Sequence, residues 1–168
     1  MKRIMYCLAL AAMAAFTSAA FAQDPVPAQQ PAPAVQPAAQ PVVAAQEPTL
    51  TSVEVKFDTT TDNKDQQTKL DVYIKTSNGQ EVAKSEGNEG RWNKNSSHTV
   101  TLQIESSPTK TDAANGSVSL TIHPQRRNKW SFNYKVTLKF SDDSVITKDV
   151  SGCYLTDHDP TRTDSLKG

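Results

Sequence analysis

The stretch Trp130–Phe140 reads WSFNYKVTLKF. Trp130, Phe132, Tyr134, Val136, Leu138 and Phe140 are large and apolar, and every residue between them is polar. Successive side chains of a strand point to opposite faces, so this alternation predicts a strand with one face buried and the other in water. It makes the protein a β protein with a sheet packed on one side. Six alternating apolar residues place the strand centrally in its sheet, with Trp130 and Phe132 closing one end of the core.

Shorter runs of the same kind flank it. Val53, Val55 and Phe57 predict a first strand, and Leu70, Val72 and Ile74 a second. Asn78-Gly79 is a hairpin signal, leading to a short third strand at Val82. Val100, Leu102 and Ile104 predict a fourth, and Val118, Leu120 and Ile122 a fifth that ends at His123-Pro124. After the Trp130 strand, Asp142-Asp143 turns the chain into a seventh over Val145–Val150, and Cys153 and Leu155 fall on a very short eighth. No helical periodicity of useful length interrupts residues 49–154. Short alternating strands between polar turns predict an all-β domain, an antiparallel sandwich of seven or eight strands, over residues 49–156. The polar residues 157–168 read as a flexible tail.

The N-terminal part is not fold. Lys2 and Arg3, an apolar run from Cys7 to about Phe16, and Ala20-Phe21-Ala22 together predict a signal peptide over residues 1–22, cleaved before Gln23. The run is shorter than the roughly 20 residues that span a bilayer, so the mature chain is expected to hold no transmembrane segment. Its Ala-rich character points to a bacterial periplasmic or secreted protein. Residues 23–48 hold seven of the ten prolines, with Ala and Gln between them and no aromatic residue. Such a segment cannot bury enough surface to offset its ordering entropy, and reads as an extended, disordered spacer.

Composition bears on function mainly by exclusion. Without Lys2 and Arg3, 16 of the 18 basic residues stand against 18 acidic ones, a net charge of −2. That argues against a nucleic-acid binder driven by phosphate neutralisation. The one basic cluster, Arg126, Arg127 and Lys129, reads as solvated turn charge. Without Cys7, Cys153 is the one remaining cysteine, which precludes an intrachain disulfide; its apolar neighbours Val150 and Leu155 favour burial. There is no GxSxG serine, no HExxH and no phosphate loop, and His98, His123 and His158 are all distant from Cys153. His158 between Asp157 and Asp159 resembles a metal triplet, but lies in the expected tail. The chain is not expected to be an enzyme.

Phe57–Ile74, FDTTTDNKDQQTKLDVYI, resembles the opening of PLAT (lipoxygenase-homology) β-sandwich domains, with Thr68, Asp71, Val72 and Ile74 matching their second strand. Ser117–Phe140 is similar to that family's late strand, His-centred turn and Trp-led strand. The usual Gly before the Thr-Asp pair is missing. A generic secreted jelly-roll or Ig-like sandwich is the alternative. The resemblance implies calcium in a sandwich-edge loop. Asp58, Asp62, Asn63 and Asp65 are the densest oxygen donors, and calcium takes six to eight oxygens. Lys64 sits among them and would repel a cation or pair with Asp62 or Asp65. Solvated turn acids are the alternative, and Asp142-Asp143 would contribute only from the same end.

Two aromatic residues stand out as candidate ligand contacts. Tyr73 lies on the polar phase of its strand. Trp92 sits in the polar loop EGNEGRWNKNSSH, either as a lipid-inserting or sugar-stacking tip or folded back as a lid on the core. The function these features suggest is a non-enzymatic extracytoplasmic binding or accessory module that recognises a membrane surface, a glycan or an envelope protein through its loops. The alternative is a structural or assembly component of the cell envelope, tethered by its proline-rich spacer.

Overall fold

The computed structural model describes residues 46–167, so the signal peptide and all but the last residues of the spacer lie outside the described residues. The chain forms β1 (Leu50–Thr59), β2 (Lys69–Lys75), β3 (Glu81–Asn88), β4 (Ser97–Thr101), β5 (Gln103–Ile104), α1 (Lys110–Ala114), β6 (Ser117–His123), β7 (Lys129–Phe140), β8 (Val145–Thr156) and β9 (Thr161–Ser165). The strands make two antiparallel sheets, β4-β1-β7-β8 and β5-β3-β2-β6-β9. Side chains from both join in one hydrophobic cluster. This is a β-sandwich. The two segments that resemble PLAT domains span β1–β2 and β6–β7. Among the described residues no helix is long and apolar enough to cross a membrane.

β7 is central in its sheet, between β1 and β8. Its six alternating apolar residues are each no more than 2 % exposed. On the other phase, Lys135 reaches solvent and pairs with Asp149 at 3.7 Å. At the start of β7, Trp130 stacks on Phe132 with ring centroids 3.8 Å apart, and Phe57 of β1 lies 5.5 Å from Trp130 and 5.8 Å from Phe132. These rings close one end of the core. The Trp130 Nε1–H is satisfied by Thr59 Oγ1 at 3.2 Å.

Three expectations are corrected. The fourth strand is two, because the chain changes sheets at Leu102: β4 pairs with β1, and β5 pairs with β3. Leu102 stays buried through the crossing, so the apolar alternation runs on unbroken. The seventh and eighth strands are one, β8, interrupted by a bulge where Gly152 takes φ 67° and its N–H donates to Asn133 Oδ1 at 2.8 Å. The extra residue shifts the inward phase from Ile146 and Val150 to Cys153 and Leu155, which mimics a strand break.

The third correction concerns the tail. Thr161–Ser165 is a strand paired with β6 from Ser117↔Ser165 to Thr121↔Thr161, and Leu166 is buried in the core. The domain therefore runs to residue 167 rather than 156. The inward positions of β9 are Arg162 and Asp164, which bind each other at 2.6 and 2.9 Å. Tyr134, from the opposite sheet, donates its hydroxyl to Asp164 at 2.6 Å.

A glycine is required where β6 begins. A Cβ on Gly116 would stand 2.1 Å from the Lys75 carbonyl oxygen, so no side chain fits between β2 and β6 there. The one-turn helix α1 precedes it, capped by Thr109, whose side chain accepts from the Asp112 N–H.

Candidate functional site

The strand register gathers four connections at one end of the sandwich: residues 60–68, 89–96, 124–128 and 157–160. The first two are laced together by backbone bonds. Lys64 N–H donates to Trp92 O at 3.1 Å, Trp92 N–H to Lys64 O at 3.0 Å, and Gly90 N–H to Gln66 O at 3.2 Å. The third is tied in by Asn128, whose Nδ2 donates to Thr68 Oγ1 at 2.9 Å; both side chains are buried.

Over this scaffold lies an open cleft of about 360 Å³, lined by Asp65, Gln66, Gln67, Thr68, Arg91, Gln125 and Arg126. Arg91 comes from the β3–β4 connection and Arg126 from the β6–β7 connection, so two distant segments supply the cations. Among the described residues neither guanidinium makes an ion pair.

The laced connections also hold a buried charge. Lys64 has no exposed surface. Its Nζ donates to Gly90 O at 2.9 Å and lies 4.9 Å from the centre of the Trp92 ring. It pairs with neither Asp62 nor Asp65. Burial lowers the ammonium pKa to about 8, with the charges of Glu89 and Asp65 opposing the shift. His98, stacked on Trp92 at 4.7 Å, is lowered by burial and then by the Lys64 charge.

A pH dependence follows. Between about 8 and the ordinary 10.5 the unfolded chain holds a proton on Lys64 that the folded chain releases. The unfolded state binds more protons there, so stability rises with pH across that window. Burial pushes the Cys153 thiol from 9.0 up to about 11, which acts in the opposite sense above pH 9.0. Comparison with Lys64→Met cancels that contribution. Relative to the variant, wild type should gain up to about 3 kcal/mol from below pH 8 to above 10.5. Urea midpoints of both proteins over this range measure it, and parallel profiles would refute the burial of the charge.

The four candidate calcium donors are not brought together. Asp58, on β1, accepts from Ser97 Oγ and pairs with Lys56 at 3.4 Å; the Ser97 hydrogen bond is the main cause that holds its carboxyl below the usual range. Asp62 accepts from Ser131 Oγ at 2.6 Å, which lowers its pKa likewise. Asn63 Oδ1 accepts from the Lys94 N–H. Asp65 faces the cleft. Among the described residues no three His, Cys, Asp or Glu side chains group so as to hold a metal ion. Asp142 and Asp143 lie at the opposite end of the sandwich, between β7 and β8.

Trp92 is only 5 % exposed, edge-on to Trp130 at 5.2 Å and 5.4 Å from Phe57. It is the lid on the aromatic end of the core and presents no tip to a ligand. Tyr73 is remote from it, on the outer face of the five-stranded sheet, where its hydroxyl donates to Glu86 Oε1 at 2.6 Å. That bond to a carboxylate pushes the Tyr73 pKa up. His158 is exposed beside Asp157, 3.7 Å away. Arg91 carried no signal in the sequence. Its pairing with Arg126 depends on how three connections meet. No family model and no curated protein matches the chain.

Proposed function

We propose that this sandwich is a non-enzymatic, extracytoplasmic binding or accessory module that takes its ligand in the loop-end cleft. One observation carries the reading: Arg91 and Arg126 line a concave surface on a hydrogen-bonded scaffold, and neither is neutralised by a carboxylate. Ligand sites are concave, with a few placed polar groups on a preformed frame. The extracytoplasmic address rests on residues 1–22 and the spacer reading on residues 23–48.

The test uses the full chain against oligosaccharides and phosphatidylcholine or phosphatidylglycerol vesicles. The double variant Arg91→Ala/Arg126→Ala should lose binding that Arg127→Ala keeps. All three residues are exposed, so the fold should be unaffected. Equal binding by wild type and the double variant would place the ligand elsewhere.

A second reading, a structural component of the envelope, draws on β8. This strand forms one edge of its sheet, and it carries the exposed large hydrophobic residues among those described, Val145 at 51 % and Tyr154 at 45 %. An open strand edge with apolar side chains is a template for pairing with another chain.

A further inference from the structure

We infer that the loop-end cleft binds a glycan bearing a carboxylate, an inference that rests on the cleft being the ligand site. The charges of its lining set the sign. Arg91 and Arg126 stand against Asp65 alone, so the cleft carries a net positive charge. A guanidinium presents paired N–H donors that match a carboxylate in bidentate fashion, and two of them arrive from different connections. Asp65 disfavours a doubly charged phosphate monoester, but tolerates a single negative charge and accepts a hydrogen bond from a hydroxyl.

The rest of the lining is suited to hydroxyls. Gln66, Gln67 and Gln125 each offer two donors and an acceptor, while the buried Thr68 hydroxyl is engaged by Asn128 and serves the frame. Among the described residues no aromatic or aliphatic side chain lines the cleft. A neutral sugar held by ring stacking has no surface here, since Trp92 is in the core. A lipid headgroup would find no apolar side chain for its acyl chains among the described residues that line the cleft. The volume of about 360 Å³ lies at the small end of ligand sites, fitting a terminal sugar rather than a long buried ligand. The Gly90–Gln66 and Asn128–Thr68 bonds hold the lining in place before the ligand arrives, which reduces the ordering cost.

Calorimetric titration of the full chain with tetragalacturonate and with neutral cellotetraose tests this. Tetragalacturonate should bind saturably and more weakly as salt rises, with cellotetraose at least tenfold weaker. Arg91→Ala and Arg126→Ala should each cost about tenfold or more. Arg91→Lys should restore only part, because an ammonium cannot make the bidentate contact. Arg127→Ala, outside the cleft, should bind as wild type.

Equal binding of cellotetraose would overturn the acidic class and leave the cleft as the site, provided that the arginine variants still weaken it. Binding to phosphatidylglycerol vesicles without binding to tetragalacturonate would replace the glycan by a lipid phosphate. Tetragalacturonate affinity unchanged in both arginine variants would overturn the inference and the site together. So would silence of every probe.

Discussion

Phe132→Ala should cost about 3–5 kcal/mol, a large share of the roughly 5–15 kcal/mol that holds a domain folded. The side chain is wholly buried and packs against three other aromatic rings. Trp130 stacks on it at 3.8 Å, Phe57 meets it edge-on at 5.8 Å, and Tyr134 lies 6.0 Å away. Truncation removes its burial and leaves a cavity. The cavity cannot close easily, because its walls are rings fixed by strands on both sides. Trp130 is held by its bond to Thr59, and Tyr134 by its bond to Asp164. Lys135→Ala, on the opposite phase, loses only an exposed pair at 3.7 Å and should lie within about 0.5 kcal/mol of neutral. Urea unfolding of the two variants reads the difference directly. Equal losses would mean that β7 does not present these phases.

The parts of this fold that could be read from the chain share one property. β1, β2, β6 and β7 bury apolar side chains on one face and expose polar ones on the other, so hydrophobic alternation reports them. The structure departs from that reading wherever the inward residue is not apolar, the phase changes, or the chain crosses to the other sheet. In β8 the bulge at Gly152 moves the inward phase by one residue, and one long strand looks like two. At Leu102 the chain changes sheets without changing phase, and two strands look like one. In the last strand the inward residues are Arg162 and Asp164, and alternation has nothing to report.

The site is legible to a smaller degree for a related reason. Lys64 stands among acids in the sequence, and a lysine in such a setting reads as a surface ion pair. It is buried instead because the β1–β2 and β3–β4 connections pair their backbones, which places Gly90 O and the Trp92 ring around its ammonium. The polar composition of residues 86–98 hides the burial of Trp92 for the same reason. The cleft joins Arg91 to Arg126 across three connections, and no local pattern encodes that meeting. The clustered acids around Asp62 look like a cation site in one dimension. In three dimensions Asp58 and Asp62 accept from Ser97 and Ser131, the Asn63 amide oxygen accepts from the Lys94 N–H, and Asp65 faces the cleft.

Ending the chain after Pro160 should be as damaging as the loss of Phe132, although the residues removed hold a single large apolar side chain. The truncation deletes β9 and exposes the edge of β6, which now pairs with it over five residues. It removes the buried Leu166, whose burial contributes about 1.5–3 kcal/mol. It also takes away Asp164 and leaves the hydroxyl of the buried Tyr134 without its acceptor, a further ~1–3 kcal/mol. The expected loss is on the order of 3–6 kcal/mol, with increased aggregation from the open β6 edge. Two point variants separate these contributions. Leu166→Ala tests the core contact alone. Asp164→Ala leaves both Arg162 and Tyr134 without their shared carboxylate and should weaken the link between the two sheets. If the truncated chain keeps the urea midpoint of the full chain, residues 161–167 form no part of the sandwich and Tyr134 finds its partner elsewhere. If the midpoint falls but both point variants match wild type, the strand acts through its backbone pairing with β6 rather than through the Arg162–Asp164–Tyr134 contacts.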